Sequence, residues 1–162
     1  MKLLFRKPLL AFALGLVLAC AAFAPRAASL TDFLETQLIN HLFRATPYTA
    51  PGTWYVSLHT SACSDSAAGT EVTGGSYGRA AVASGTGTWS AVSAGNGTTS
   101  NVNTITFATP TAGWGTVTHF ALYDAVSAGN QLICQALTVS KTINSGDTVT
   151  FPAGQLTIQI DN

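Results

Sequence analysis

Three histidines, His41, His59 and His119, are the first candidates for acid–base or metal chemistry. They are scattered. No HxH or HxxxH pair sets two imidazoles on one face of a strand or helix, so no metal site is expected. His41 falls on the flank of an apolar helical stripe. His59, in TWYVSLHT, points away from Val56 and Leu58. His119 shares a strand face with Val117, Ala121 and Tyr123. Each reads as a structural or surface histidine. Serines are plentiful but lack context: there is no GxSxG elbow and no SxxK. Carboxylates are few. Asp65 and Glu71 share one loop, whereas Asp124 and Asp147 sit where turn bonding explains them. Gly85-Thr-Gly87 and Gly95-Asn-Gly97 match neither phosphate-loop nor dinucleotide patterns, and no helix follows them. The triplet Asn96-Gly97-Thr98 fits a glycosylation acceptor only formally. The expectation is a chain without catalytic residues, cofactor or metal, and not an enzyme.

Two further residue sets carry possible chemistry. Cys63 lies in a Ser- and Asp-rich loop and Cys134 lies mid-strand. They form either a disulfide, if the chain meets an oxidising compartment, or two separate thiols. The aromatic rings Trp54, Trp89, Trp114 and Tyr123, with Tyr55 and Tyr77 near them, are either core filling or a platform on which glycans stack.

The composition narrows the function classes. Only 9% of the 162 residues are charged. Four of the seven basic residues (Lys2, Arg6, Lys7, Arg26) precede residue 29, leaving three basic against seven acidic side chains, a net charge of −4. Such a domain has no basic footprint for nucleic acid. Residues 1–28 have a basic start, an apolar run from Leu9 to about Ala24, and small residues after it. That is the pattern of an export signal, with cleavage near Ala21 or Ala22. Val17-Leu18-Ala19-Cys20 is a weak lipobox. A lipid on Cys20, or retention of the segment, is the one route to a membrane.

The elements that would position these residues follow from periodicity. Ser29-Leu-Thr-Asp32 is close to a capping box, and Leu30, Phe33, Leu34, Leu38 and Leu42, widened by Ile39 and Phe43, predict an amphipathic helix over 30–44. From Thr53 the period becomes two. Strands are predicted at 53–60, 77–83, 86–92, 102–107, 116–124, 131–139, 148–151 and 155–160, with loops at 61–76 and 93–100. In 116–124, Thr118, Phe120 and Leu122 fall on one face, opposite Val117, His119, Ala121 and Tyr123. Both faces are partly apolar, which marks a central strand. The expected architecture is all-β: an antiparallel β-sandwich or flattened barrel, one domain over 29–162, with the helix capping it.

Several segments resemble a family of small bacteriophage structural proteins of the tail-fibre-like or capsid-decorating kind. They are NHLFRATPYTAP, TWYVSLHTSACSD, EVTGGSYGR, SAGNGTTSNVNTITFATPTAGWGTVTHFALYDA and LTVSKTINSGDTVTFPAGQLTI. The resemblance runs from about Leu30 to Ile160 and is most specific at Gly74–Arg79, Ser93–Asn101 and Trp114–Asp124. It implies a non-enzymatic β-rich virion component that self-associates and docks on other virion or cell-surface proteins. Two features depart from it: the export-like start, and Cys63 where the resemblance leads one to expect proline. Both fit a phage protein captured by a host and routed outward, to the periplasm, cell surface or medium, or a fused or misassigned start, in which case the chain belongs to the virion. The closing strand QLTIQI, with Gln155, Thr157, Ile158 and Ile160, alternates cleanly and is the expected assembly edge. The alternative is an exported carbohydrate-binding module built on Trp54, Trp89 and Trp114.

Overall fold

The computed structural model describes residues 29–92, 95 and 97–160. The export-like segment with Cys20, and Asn96, lie outside the described residues. The architecture is antiparallel β with one short helix. A five-stranded sheet has the order β1 (Ser29–Leu30), β7 (Gln131–Ile143), β6 (Gly115–Tyr123), β2 (Thr53–His59) and β3 (Ala80–Ala83). Two small ribbons accompany it: β4 (Thr98–Ser100) with β9 (Thr157–Gln159), and β5 (Ile105–Thr106) with β8 (Thr150–Phe151).

Alternation along the central strands makes the layers. Val56 and Leu58 of β2 stand opposite Leu122 and Phe120 of β6 and feed the main core. Ile105, Phe107, Leu156 and Ile158, from the ribbons and the segments beside them, join the same core. The arrangement is sandwich-like, with one continuous apolar filling between sheet and ribbons. β6 is covered on both faces, since Ala121 and Tyr123 enter a second, smaller cluster with Cys63 and Cys134.

The face assignment along β6 needs one correction. Val117 is buried in the main core with Phe120 and Leu122, not on the His119 side. The register breaks between Val117↔Lys141 and His119↔Ala136, where Thr118 alone stands against Leu137, Thr138, Val139 and Ser140. A bulge of this kind resets the alternation, which unbroken period-two counting cannot follow.

Several element bounds also differ. Residues 86–92 are not a strand. The amides of Thr88 and Trp89 both bond to the carbonyl of Gly85, closing a turn, and only Trp89 bridges to Asn101. The expected loop at 93–100 instead contributes β4. The strand predicted at 77–83 begins at Ala80, and β7 runs four residues beyond the predicted end at 139.

The helix α1 spans Asp32–Phe43, and its N-cap is Thr31 rather than Ser29, which pairs with Cys134 in β1. The Thr31 hydroxyl accepts from the Leu34 amide and donates to the Gln131 carbonyl at 2.6 Å, fastening the helix start to β7. Leu34 is buried, and Phe33 and Leu38 are half-buried against the main core. The rest of the expected stripe is not covered: Ile39 is 53% exposed, Leu42 68% and Phe43 78%. The apolar positions form one broad band, and only its flank with Phe33, Leu34 and Leu38 meets the sandwich, while Leu42, Ile39 and Phe43 carry the band on into solvent.

Cys63 and Cys134 are joined in a disulfide, with Cα atoms 5.9 Å apart and a sequence separation of 71. It ties the 61–70 loop to the sheet. Closing a loop of that length stabilises the fold by about 4 kcal/mol through the unfolded chain. Unfolding in urea with and without a reductant should show a loss of that order on reduction, and the Cys63→Ser chain should be insensitive to the reductant.

Candidate functional site

The same alternation that builds the core gathers polar side chains on the other face of the sheet. Tyr55, Ser57 and His59 of β2 lie opposite Tyr123, Ala121 and His119 of β6. Beyond β3, the edge of β2 is paired by residues 70–72. The Thr60 amide donates to the Thr70 carbonyl, the Val72 amide donates to the Leu58 carbonyl, and Glu71 bridges His59. Glu71 therefore joins the polar face while Val72 enters the core.

Arg79, just before β3, completes this face. Its Nε donates to Glu71 Oε1 at 2.9 Å and its Nη2 to Oε2 at 2.7 Å, a two-pronged pair. Nη1 donates to the carbonyls of Ala125 and Ala128, both at 2.8 Å. The guanidinium carbon lies 3.5 Å from the centre of the Tyr123 ring. The Tyr77 hydroxyl donates to Glu71 Oε1 and accepts from the Leu58 amide, each at 2.9 Å. Burial pushes the Glu71 carboxyl up, but the bonds from Arg79 and Tyr77 outweigh it and hold the group below its ordinary value. Burial also raises Tyr77, which stays a neutral donor. A cleft of about 330 Å³ opens beside this pair, lined by Glu71, Tyr77, Arg79 and the 126–128 turn. At its floor the Arg79 donors and both Glu71 oxygens are already engaged.

The backbone between Glu71 and Arg79 is shaped for the purpose. Gly74, Gly75 and Ser76 all have positive φ (72°, 52° and 62°). At Gly75 an added Cβ would meet the Ala112 carbonyl at 2.9 Å and Trp114 Nε1 at 3.0 Å. That close approach lets the Gly75 carbonyl accept from Trp114 Nε1 and from the Thr111 amide.

Ser57 Oγ and His59 Nε2 are 2.8 Å apart, the spacing of a nucleophile and its base. Three observations show that the pair is built as packing. Both residues are 0% exposed. Ser57 Oγ also donates to the Ala121 carbonyl at 3.2 Å. His59 Nδ1 has no partner, so no carboxylate orients the ring. Burial lowers the His59 pKa, against a smaller opposing effect of Glu71. His41 Nδ1 accepts from the Tyr48 amide, and His119 Nδ1 bonds Thr118 Oγ1 at 2.8 Å. Asp124 accepts from the Asn130 amide and side chain, and Asp147 accepts from the Asn144 amide, each closing a turn. Among the described residues no three metal-ligating side chains converge.

The four rings considered as a platform do not share a surface. Trp114 is buried in the main core, edge-on to Tyr77 and Phe107, while Tyr123 is buried in the smaller cluster under Arg79. Trp54 and Trp89 are half-buried against the main core. The closing strand is different. β9 has one bonded neighbour, β4. The Asn101 amide donates to the Leu156 carbonyl and the Ile160 amide to the Gly97 carbonyl, so even-numbered residues turn their backbone toward β4. Thr157 and Gln159 direct theirs outward. Of the expected edge residues, Ile158 is buried, Thr157 is half-buried, and Gln155 and Ile160 are exposed.

Sequence reasoning did not find what holds this strand. Asn101 is buried, donates to the carbonyls of Asn103, Phe151 and Pro152, and accepts from the Leu156 amide at 2.9 Å. One asparagine in SNVN carries no pattern that marks it. The Glu71–Arg79 pair was equally hidden, although charges eight residues apart around GGSYG are a usable signal in so charge-poor a chain.

A family model described as Podophage GP4 fiber I protein gp80 matches residues 29–159. The chain belongs to this family. It is a phage structural protein of the fibre type, and the match opens at the first residue of β1 and closes at the last of β9. No curated protein matches the chain. In this fibre protein the polar face acts as a fastening between the 71–79 loop, the sheet and the 125–128 turn.

Two measurements test that fastening. Arg79→Met strands the Glu71 carboxylate without its partner and should cost about 3 kcal/mol in urea unfolding. Arg79→Lys should recover little, because one ammonium cannot reproduce the fork. His59 sets a pH dependence. Its folded pKa is below the ordinary value of about 6.5, so the unfolded chain takes up the proton first. The stability is complete above about pH 6.5 and is lost as pH falls below it. The urea midpoint should drop between pH 7.5 and 5.5, and His59→Gln should flatten that drop.

Proposed function

We propose that this member of the gp80 fibre family works by assembly: copies of the chain associate with one another and dock on other virion or cell-surface proteins. The observation that carries the reading is the outer edge of β9. Its Thr157 and Gln159 backbone groups point away from β4, and the strand ends beside the exposed Ile160. An edge strand with outward N–H and C=O groups is a template for a further strand. The fold supports the template firmly, since Leu156 and Ile158 are anchored in the core and Asn101 holds the strand from behind.

We further infer that residues 1–28 are an export segment ahead of a single domain spanning 29–162. The family match begins at Ser29, where the sequence pattern sets that boundary. Mass spectrometry of chain secreted by a bacterial host should give a product lacking between about 21 and 28 residues at its start.

The assembly reading is checked with Gln159→Pro. The change removes an outward N–H and sets a ring at the edge while leaving the β4-facing bonds of Ile158 and Ile160 in place. Light scattering and electron microscopy should show wild-type oligomers or filaments, and the variant should remain folded but run smaller. A wild-type chain that stays monomeric at high concentration would sink the reading.

A further inference from the structure

The outer edge of β9 differs from the other free edges of the fold. Beyond the two residues that β1 pairs, β7 is blunted by the irregularity at 137–140 and by Lys141. On β3, the Ala83 carbonyl is taken by the Thr88 hydroxyl. Residues 156–160 have no such device. They carry no charge and no proline, and they keep one unbroken register on 97–101. An edge left bare in this way offers its backbone groups for pairing. Its alternation is also symmetric. Thr157 and Gln159, whose N–H and C=O groups face outward, flank Ile158 on either side. Leu156 and Ile158 are buried in the core, and Ile160, on the same face, is 57% exposed at the strand's end.

We propose that β9 pairs with β9 of a second copy, the two strands running antiparallel about a two-fold axis through Ile158. The inference rests on the assembly reading and names the partner and register of that edge. In an antiparallel ladder, opposed residues whose backbone groups point at each other exchange both of their hydrogen bonds. An axis through Ile158 sets Thr157 against Gln159 of the second copy, and Gln159 against Thr157. Every outward group of both residues is then satisfied. The neighbouring registers do less. An axis through Thr157 calls on the Gln155 amide, which already donates to the Pro152 carbonyl. An axis through Gln159 carries Thr157 past the last position that β4 holds. The axis through Ile158 also matches the side chains. Ile160 falls level with Leu156 of the second copy on the apolar face, and Thr157 falls level with Gln159 on the polar face. The exposed Ile160 thereby meets the end of its neighbour's core. The edge complements itself in backbone and in side chain, which selects a second copy over an unrelated strand. Such a contact is isologous and closes on itself, so it joins two copies and uses both bare edges.

Oxidative cross-linking and amide exchange of the exported chain test this. Thr157→Cys mixed with Gln159→Cys should give a disulfide-linked dimer, because the two positions face each other at a Cα separation of about 5.5 Å. Either variant alone should give at least about fivefold less, since like positions stand about 9 Å apart, beyond the roughly 7 Å that a disulfide spans. In the unmodified chain, the Thr157 and Gln159 amides should exchange at least about tenfold more slowly at a concentration where copies associate than at one where they do not. Cross-linking of either variant with itself would overturn the axis through Ile158 and leave assembly at the β9 edge standing. Amides protected on association, with no cross-link in the mixture, would give the edge to another segment and equally overturn the pairing. Association that leaves both amides unprotected would overturn it as well, with copies still assembling through another surface. A chain monomeric throughout would remove both readings.

Discussion

Arg79 reaches Glu71 through two parallel hydrogen bonds, and four parts of the chain hang on that contact. Glu71 belongs to the segment that extends the edge of β2. Tyr77 links the same carboxylate to the Leu58 amide in the middle of β2. The third guanidinium nitrogen gathers the carbonyls of the 125–128 turn, and the plane of the group covers Tyr123 on β6. A two-pronged pair largely withdrawn from water is expensive to leave half-made. It therefore selects one arrangement of loop, sheet and turn. In a chain with 9% charged residues, one such pair has few competitors.

The two faces of the main sheet divide the work. One face is apolar and makes the sandwich with the β4–β9 and β5–β8 ribbons. The other is polar near β2 and β6 and is closed by the loop that Cys63 fastens to Cys134. Ser57 and His59, which look like chemistry when their distance is quoted alone, occupy that closed face as packing. Their enclosure leaves the open backbone edge of β9 and the exposed apolar side chains of α1 at the margins of the fold.

Long, regular stretches were legible in the sequence. TWYVSLH and GTVTHFALY declared their strands by period two, and DFLETQLINHLF declared a helix. What stayed hidden was everything decided by partners far along the chain. The two- and three-residue strands of the second layer are too short to show a period, and they exist because Asn101 and the core hold them. The face of Val117 was lost to a bulge that depends on β7. The covered flank of the helix band was not legible because helical spacing alone cannot say which side meets the sheet. That choice is made by Thr31, whose bond to the Gln131 carbonyl sets the entry of the helix against β7. Trp54, Trp89, Trp114 and Tyr123 were ambiguous for a similar reason, since a ring's burial is a property of its surroundings.

The disulfide has a mechanical meaning. A fibre is a load-bearing object, and pulling on its ends strains each subunit along its covalent backbone. Were this chain pulled between β1 and β9, the load would not have to travel the whole contour. At Cys63 it could cross directly to Cys134, bypassing the chain between them, a sequence separation of 71. That interval contains β3 to β6 and the Arg79 fastening. Fully extended it would span about 240 Å. The bond withholds that length, so a stretched subunit has a short tether where it would otherwise have a long spring. Reduction would make the same protein more extensible under tension.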